Sequence, residues 1–225
     1  MDILSHGLWA GAATKSINLK RRKSLNVWLT AFWGVFPDLF AFTIPFIWLF
    51  FNLLSGNINF SDIHRPTGAE PENKLLFGNG NTEQTQSSIA YLTSSLYNIS
   101  HSLFIFLLIF GLVILIRKLL TFGSESANKA EILFAASEPN EKISRFALFF
   151  KKENVVPWEM GGWLLHILLD IPTHSYAFYP TPVFWPLGGW KFSGYPWAHP
   201  WFIAANYSAI AVAYLTIRYF RKRKV

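Results

Sequence analysis

The sequence predicts an all-α, polytopic membrane protein with about four transmembrane helices and a short membrane-embedded helix at the N-terminus. Of its 225 residues, 52% are hydrophobic and 18% aromatic, and they gather into long apolar runs. Short basic clusters flank these runs, as expected at the ends of membrane spans. The chain has no cysteine, which excludes disulfides, thiolate metal sites and cysteine nucleophiles.

The first two apolar segments differ in length. Residues 3–17 are fewer than the roughly 20 that a span needs, so they predict a short, packed or re-entrant helix. Residues 25–54 contain Asp38 as their only charged residue and are longer than one span requires. We therefore expect this helix to tilt, or to break at Pro37 or Pro45.

The rest of the chain alternates between apolar and polar segments within one predicted domain, residues 1–225. Apolar spans are expected where the runs are long, and loops where charged, small or aromatic residues accumulate. The predicted order is an outward loop at 55–92, a span at 94–116, a cytoplasmic loop at 119–157, a span at 158–171, an outward aromatic loop at 176–199 and a span at 200–219.

The charge distribution predicts the orientation. The formal net charge is +7, but the basic residues lie in short runs beside apolar segments and not along one soluble face, so nucleic acid is not an expected partner. The runs at 20–23, 117–118, 142–152 and 221–224 all fall on one side of the predicted spans. The positive-inside rule then places that side, with the C-terminus, in the cytoplasm. We expect an integral protein of the plasma (inner) membrane.

The most informative stretch lies between Gly162 and Ser175, where His166, Asp170 and His174 follow at steps of four inside an apolar run. On a helix these residues share one face. Burying them among Leu and Ile is costly unless something compensates, and a divalent cation is a natural compensation for imidazole and carboxylate ligands. Pro172 is expected to kink or end the helix near Asp170, so His174 would reach the site from a loop nearer the outer surface.

Several polar residues from distant segments are predicted to lie at one depth. Counting about 1.5 Å per residue from the basic ends places Asp38 roughly 20 Å from the cytoplasmic edge. The same count brings four others to that level: His6, His101, His166 and Asp170. Each ionisable group inside a span costs about 2.5–3.5 kcal/mol, and the spans offer no Lys or Arg to neutralise the carboxylates. This favours a metal centre over a purely structural network of neutral histidines.

Some of these residues also have simpler interpretations. Asp38 follows a proline and is a candidate N-cap for a helix that starts after it, a role compatible with metal binding. Ser100 and Ser102 flank His101, and their hydroxyls are candidates to orient its ring. His199 precedes the last span and is expected at the headgroup level.

Four stretches of the sequence resemble the membrane-bound metal-dependent hydrolase family that includes the LexA-binding inner-membrane hydrolases. They are Ser5-His6-Gly7, Gly34-Val-Phe-Pro-Asp38, Ser100-His101-Ser102-Leu103 and Gly162 through His174, and together they extend over most of the chain. The resemblance implies a metal-dependent hydrolase with ligands at the five matching positions: His6, Asp38, His101, His166 and Asp170.

Two further comparisons qualify this resemblance. The chain is similar, more distantly, to zinc-dependent phospholipase C, through the early His6, the Pro-Asp38 element and the histidine–aspartate spacing described above. In the hydrolase family a His-Arg pair precedes the His-Ser element directly, whereas here His64-Arg65 is separated from His101 by a long polar loop. A ligand role is therefore not carried over to His64.

The sequence thus predicts a hydrolase, of phosphodiesterase or esterase type, that acts on a lipid or lipid-linked ester from the outward half of the bilayer. Zinc is the first choice of metal, with manganese or iron as alternatives. Asp38 and Asp170 are the predicted catalytic carboxylates. His174 is predicted to be a further metal ligand, at the outward mouth of the site. Three loop residues, Arg65, Trp190 and Lys191, are candidates to hold a headgroup. The alternatives are a non-enzymatic metal-binding or metal-transport protein and, ranked lower, a ceramidase-like amidase.

Overall fold

The computed structural model describes residues 1–57, 83–134, 156–176 and 179–223, with side chains not described at 83–88 and 121–134. Within these ranges the regular structure is helical, with an isolated β-bridge between Thr181 and Phe192. The α-helices in the described residues are α1 (Ile3–Asn18), α2 (Val27–Leu54), α3 (Glu83–Ser100), α4 (Leu103–Phe134), α5 (Gly161–Thr173) and α6 (Pro200–Lys222), with a 3₁₀ turn at Trp158–Met160.

Three helices in the described part of the chain are long and apolar enough to cross a membrane: α2, the Leu103–Leu120 part of α4, and α6. Three of the roughly four predicted spans are thus supported. The segment predicted to span at 158–171 forms α5, whose 13 residues fall short of the roughly 20 required. One face of α5 is buried against its neighbours, so it is a short inner helix and not a full span.

The predicted single span at 94–116 is two helices. α3 ends at Ser100 and α4 begins at Leu103, so His101 lies at a helix junction and not two turns inside a span. The loop that follows α5 holds this junction open, because the Leu103 amide donates to the Val183 carbonyl at 3.0 Å. Backbone polar groups at a helix break inside an apolar run need hydrogen-bond partners, and only the folded chain supplies them.

The predicted loops are shorter than expected. Residues 83–92 belong to α3, although the sequence predicts them to be loop, and residues 119–134 continue α4 into the predicted cytoplasmic loop. The remainders of both loops, at 58–82 and 135–155, lie outside the described residues. They include His64 and Arg65, together with the whole basic run at 142–152.

The central helix is α2, which packs against α1, α3 and α5. It continues through Pro37 and Pro45, so the expected break at one of these prolines is not observed. Its N-cap is Asn26, whose side chain accepts a hydrogen bond from the Leu29 amide at 3.1 Å. Asp38 is therefore in the middle of a helix and is not an N-cap.

Close packing on α2 requires glycine at two positions. A Cβ atom at Gly162 would overlap the carbonyl oxygen of Thr30, and one at Gly34 would lie 2.7 Å from the Cβ of Ala10. Both contacts are shorter than real Cβ atoms show. The backbone of α5 thus lies directly on that of α2, which brings His166, one turn beyond Gly162, against Gly34.

This contact gives a stability prediction with a neighbouring control. We expect Gly162→Ala to destabilise the fold by about 1–3 kcal/mol or more, because the added methyl group must push α5 away from α2. A Cβ atom at Gly161 meets no atom within 4 Å, so Gly161→Ala should leave the melting temperature unchanged or slightly raised. Thermal unfolding of both variants in detergent measures the difference. Equal melting temperatures would contradict the proposed contact.

The chain divides into two compact units, which are described separately. One consists of Met1–Phe106 and Glu159–Val225, and the other of Leu107–Trp158. All residues of the site discussed below that the structure describes belong to the first unit.

Candidate metal centre

His166 is oriented by the backbone of α2. Its Nδ1 lies 2.7 Å from the carbonyl oxygen of Gly34, and a carbonyl can only accept, so Nδ1 carries the proton. In the neutral ring Nε2 then has its lone pair free to bind a metal ion. The ring is buried and stacks on that of His6, with centroids 3.7 Å apart.

His101 is oriented in the same manner at the α3–α4 junction. Its Nδ1 lies 3.2 Å from the Tyr97 carbonyl oxygen and 2.9 Å from the Ser100 hydroxyl, so the proton is again on Nδ1. Ser100 therefore contacts the ring, as the sequence predicts for it. The hydroxyl of Ser102 instead donates to the carbonyl of Trp185, so the orienting role expected of Ser102 is wrong. The ring of His101 stacks on Tyr97 at 3.7 Å.

Two carboxylates complete the cluster. Oδ2 of Asp170 lies 3.0 Å from Nε2 of His166 and 3.3 Å from Nε2 of His101. Oδ1 of Asp38 is 3.7 Å and 3.5 Å from the same two nitrogens. Both aspartates are buried, and Oδ2 of each has no hydrogen-bond partner. Asp170 thus faces the imidazoles through Oδ2, whereas Asp38 faces them through Oδ1 and its Oδ2 has no hydrogen-bond partner.

The arrangement fits a divalent cation. The Nε2 atoms of His101 and His166 are 2.9 Å apart, and when both rings are neutral with the proton on Nδ1, no hydrogen lies between them. Two nitrogen lone pairs and two carboxylate oxygens therefore face one point, which is unfavourable without a positive charge there. One ligand atom from each of the four residues lies within 4.8 Å of the others. Ligands at about 2.0–2.2 Å from one zinc ion lie within about 4.4 Å of each other, so little adjustment is needed.

His6 and His174 lie beside this cluster, on Oδ1 of Asp170. Nε2 of His6 is 3.0 Å and Nε2 of His174 is 3.3 Å from that oxygen. Neither ring nitrogen of His6 has a hydrogen-bond partner. Nδ1 of His174 lies 3.0 Å from the carbonyl of Tyr179. All six predicted ligands are therefore buried in one cluster, four around a common point and two adjacent to it.

The amino group of Met1 also reaches the cluster. Its nitrogen lies 2.7 Å from Oδ1 of Asp170 and 3.1 Å from Nε2 of His174. This group supplies a positive charge that the composition of the predicted spans does not indicate. Its ion pair is with Oδ1 of Asp170, whereas Oδ2 of the same carboxylate faces His101 and His166.

His174 is positioned by the end of α5 and by a loop. The helix continues through Pro172 to Thr173 instead of ending near Asp170, and His174 is the first residue with extended backbone. The carbonyls exposed at the helix end are satisfied by the loop: the Tyr195 amide donates to Pro172 at 2.8 Å and the Trp197 amide to Thr173 at 3.1 Å. These bonds fix the direction in which His174 leaves the helix.

An apolar cavity of about 320 Å³ adjoins the cluster. It lies between the start of α1 and the second half of α2, and Asp38 and His174 form part of its wall. The rest of the lining is mainly apolar, with Leu4, Phe42, Phe46, Leu49 and Trp197 among its members.

Two of the three predicted headgroup contacts, Trp190 and Lys191, do not line this cavity. Trp190 is largely exposed in the loop after α5, where it packs on Phe192 with ring centroids 4.6 Å apart. Lys191 lies in the same loop, and its carbonyl accepts a hydrogen bond from Tyr176. Neither residue lines the cavity. Arg65 is outside the described residues, so headgroup binding by these side chains stays a prediction.

The groups that orient the ligands were not predicted from the sequence. Tyr97 precedes His101 by four residues and Gly34 precedes Asp38 by four, so helical periodicity places each on the face of a predicted ligand. That spacing is a usable signal for Tyr97, whose hydroxyl also lies 2.8 Å from Nδ1 of His174. No sequence pattern identifies the carbonyl of Gly34 as a partner of His166.

Comparison of the chain with protein-family models, with curated proteins and with solved structures gives no match. The function of the site is therefore argued from its own geometry.

Proposed function

We propose that this protein is a membrane-embedded, metal-dependent hydrolase that acts on a lipid or lipid-linked ester. The observation that carries the proposal is the convergence of two imidazole Nε2 atoms and two carboxylates on one buried point beside an apolar cavity. A structural polar network would instead pair donors with acceptors. The motif resemblance to membrane-bound hydrolases points to the same chemistry.

His101, His166, Asp38 and Asp170 would hold the ion, which we propose to be zinc. A zinc ion bound by such ligands supplies a Lewis acid and lowers the pKa of a bound water. Asp38 lies on the boundary between the cluster and the cavity, and its unpaired Oδ2 is available to accept a proton from a nucleophilic water. Phosphodiester and carboxylic ester substrates both require this proton transfer.

The cavity supports an amphipathic substrate. Its wall is formed by the membrane-crossing helix α2 and the first turn of α1, and large apolar side chains dominate it. Phe46 and Leu4 are half or more exposed at this wall, which is favourable only against hydrocarbon. A lipid chain in the cavity would place the attached ester near Asp38 and His174. By the positive-inside rule we assign the site to the outward half of the plasma membrane.

The proposal is tested by turnover in lipid nanodiscs. Purified protein is stripped with a chelator, reloaded with zinc, manganese or iron(II), and incubated with long-chain phospholipids and with short-chain soluble esters. We expect turnover only after reloading, and a preference for the long-chain substrates because they fill the cavity. Identification of the products distinguishes phosphodiesterase from esterase activity.

The controls separate the function from its alternatives. Tightly bound metal without turnover of any lipid would overturn the hydrolase and leave the non-enzymatic metal-binding protein. Metal flux into vesicles under the same conditions would identify a transporter. Turnover that survives complete removal of the metal would contradict the role assigned to the cluster.

A further inference from the structure

A second cavity lies far along α1 from the metal centre. Near its N-terminus α1 is held to α6 by hydrogen bonds from Tyr207 to Asp2 at 2.8 Å and from Tyr214 to the Leu8 carbonyl at 3.1 Å. Beyond the contact at Tyr214, a cavity of about 1060 Å³ lies between the last turns of α1 and α6 and the start of α2. It shares no lining residue with the cavity beside the metal cluster.

The charged residues of this second cavity are all basic. Lys15 enters from α1, while Arg218 and Arg221 stand one turn apart on α6, and all three are exposed. Lys15 Nζ lies 4.7 Å from the centre of the Tyr214 ring. Among the described residues, no Asp or Glu lines the cavity. Three cations that line one cavity without a carboxylate attract an anion such as a phosphate.

The other wall of the cavity is apolar. Val27, Leu215 and Ile217 line it, and Leu215 is 65% exposed. Both α2 and α6 are candidate membrane spans, so the cavity lies where a membrane-crossing helix meets its basic end. A free phosphate would gain nothing from contact with this apolar wall, whereas the glycerol and upper acyl carbons of a phospholipid would cover it.

We propose that this cavity binds the headgroup of an anionic phospholipid, with Lys15, Arg218 and Arg221 around the phosphate. The site is distinct from the metal centre and does not depend on the proposed hydrolysis. The predicted topology places it in the cytoplasmic leaflet, where anionic lipids are attracted by juxtamembrane basic residues. The bound lipid would fill the space between α1 and α6, and so stabilise their pairing.

The test uses the full chain in nanodiscs of equimolar phosphatidylcholine and phosphatidylglycerol. Lipids retained on release are counted by native mass spectrometry, and affinity is measured by titration with short-chain phosphatidylglycerol. We expect one retained phosphatidylglycerol per chain. Lys15→Gln/Arg218→Gln/Arg221→Gln should weaken its binding by at least about tenfold, and Arg218→Gln alone by about fivefold. The single variant keeps the test valid if the triple variant does not fold.

The matched control removes three charges from the same end of the molecule, outside the cavity: Lys20→Gln/Arg22→Gln/Lys222→Gln. It should retain the lipid and bind it within about twofold of the unmodified chain. Equal losses in the two triple variants would overturn the site, because they would indicate general attraction to an anionic surface. Displacement of the lipid by excess inorganic phosphate would overturn the lipid assignment in favour of a free-phosphate site.

Discussion

Asp170→Ala is expected to abolish stoichiometric metal binding. The purified chain should contain zinc or another divalent ion at close to one or two equivalents, whereas the variant should lose at least about a hundredfold in affinity. The reason is that Asp170 is the shared centre of the cluster, with one oxygen facing His101 and His166 and the other facing His6 and His174. Elemental analysis after gel filtration in detergent measures the metal content.

Two further variants make the result interpretable. Asp170→Asn preserves the volume and one acceptor oxygen, so it should fold even if the alanine variant does not, and it should still lose most of the metal. His199→Ala removes an exposed histidine at the N-cap of α6 and should retain the full metal content. If the unmodified protein folds without metal and takes up none on addition, the cluster is a structural polar network and not a metal site.

Asp38→Asn should lower kcat by about 10²–10⁴ at saturating metal while leaving the fold and most of the bound metal in place. Asp38 Oδ1 is farther from the two imidazole nitrogens than Asp170 Oδ2 is, and Oδ2 of Asp38 has no partner. An amide cannot take a proton from water, although it keeps an oxygen toward the cluster. Turnover of the best lipid substrate and metal content are measured on the same preparation. Together they separate loss of the proton acceptor from loss of the metal.

Asp2→Asn provides the matched control in the same cavity wall. Asp2 Oδ1 accepts hydrogen bonds from the Ser5 amide at 3.0 Å and from Tyr207 at 2.8 Å, and an amide oxygen can accept both. We expect its kcat to stay within about twofold of the unmodified enzyme. If Asp38→Asn were as active as Asp2→Asn, the general-base role would be excluded.

Helix α1 and the last helix, α6, were predictable because local sequence fixes them. The run from Ile3 to residue 17 is apolar and lacks proline, and the structure has a helix at Ile3–Asn18. The last span, predicted at 200–219, corresponds to α6 at Pro200–Lys222, which begins with proline and ends in a basic cluster. Helix ends marked by such residues need no tertiary information.

The failures occur where distant segments decide the local structure. The run at 94–116 looks continuous, but the junction after Ser100 is held open by backbone groups of residues 183 and 185, more than eighty positions away. Similarly, α5 has the composition of a span but is too short, and its buried face packs on α2 and α1. Hydropathy cannot separate a lipid-facing helix from one that faces protein, since both burials remove apolar surface from water.

By itself, the sequence determined which residues form the candidate site. Ionisable side chains in apolar runs are costly, and helical spacing put His166 and Asp170 on one face, so these residues stood out without a structure. The tertiary structure alone decided how they act together. It placed the Gly34 carbonyl on His166 and the Tyr97 carbonyl on His101, and so fixed which nitrogen of each ring faces the carboxylates. That choice depends on hydrogen-bond partners brought together by glycine-mediated packing and by a helix junction, which one-dimensional periodicity does not encode.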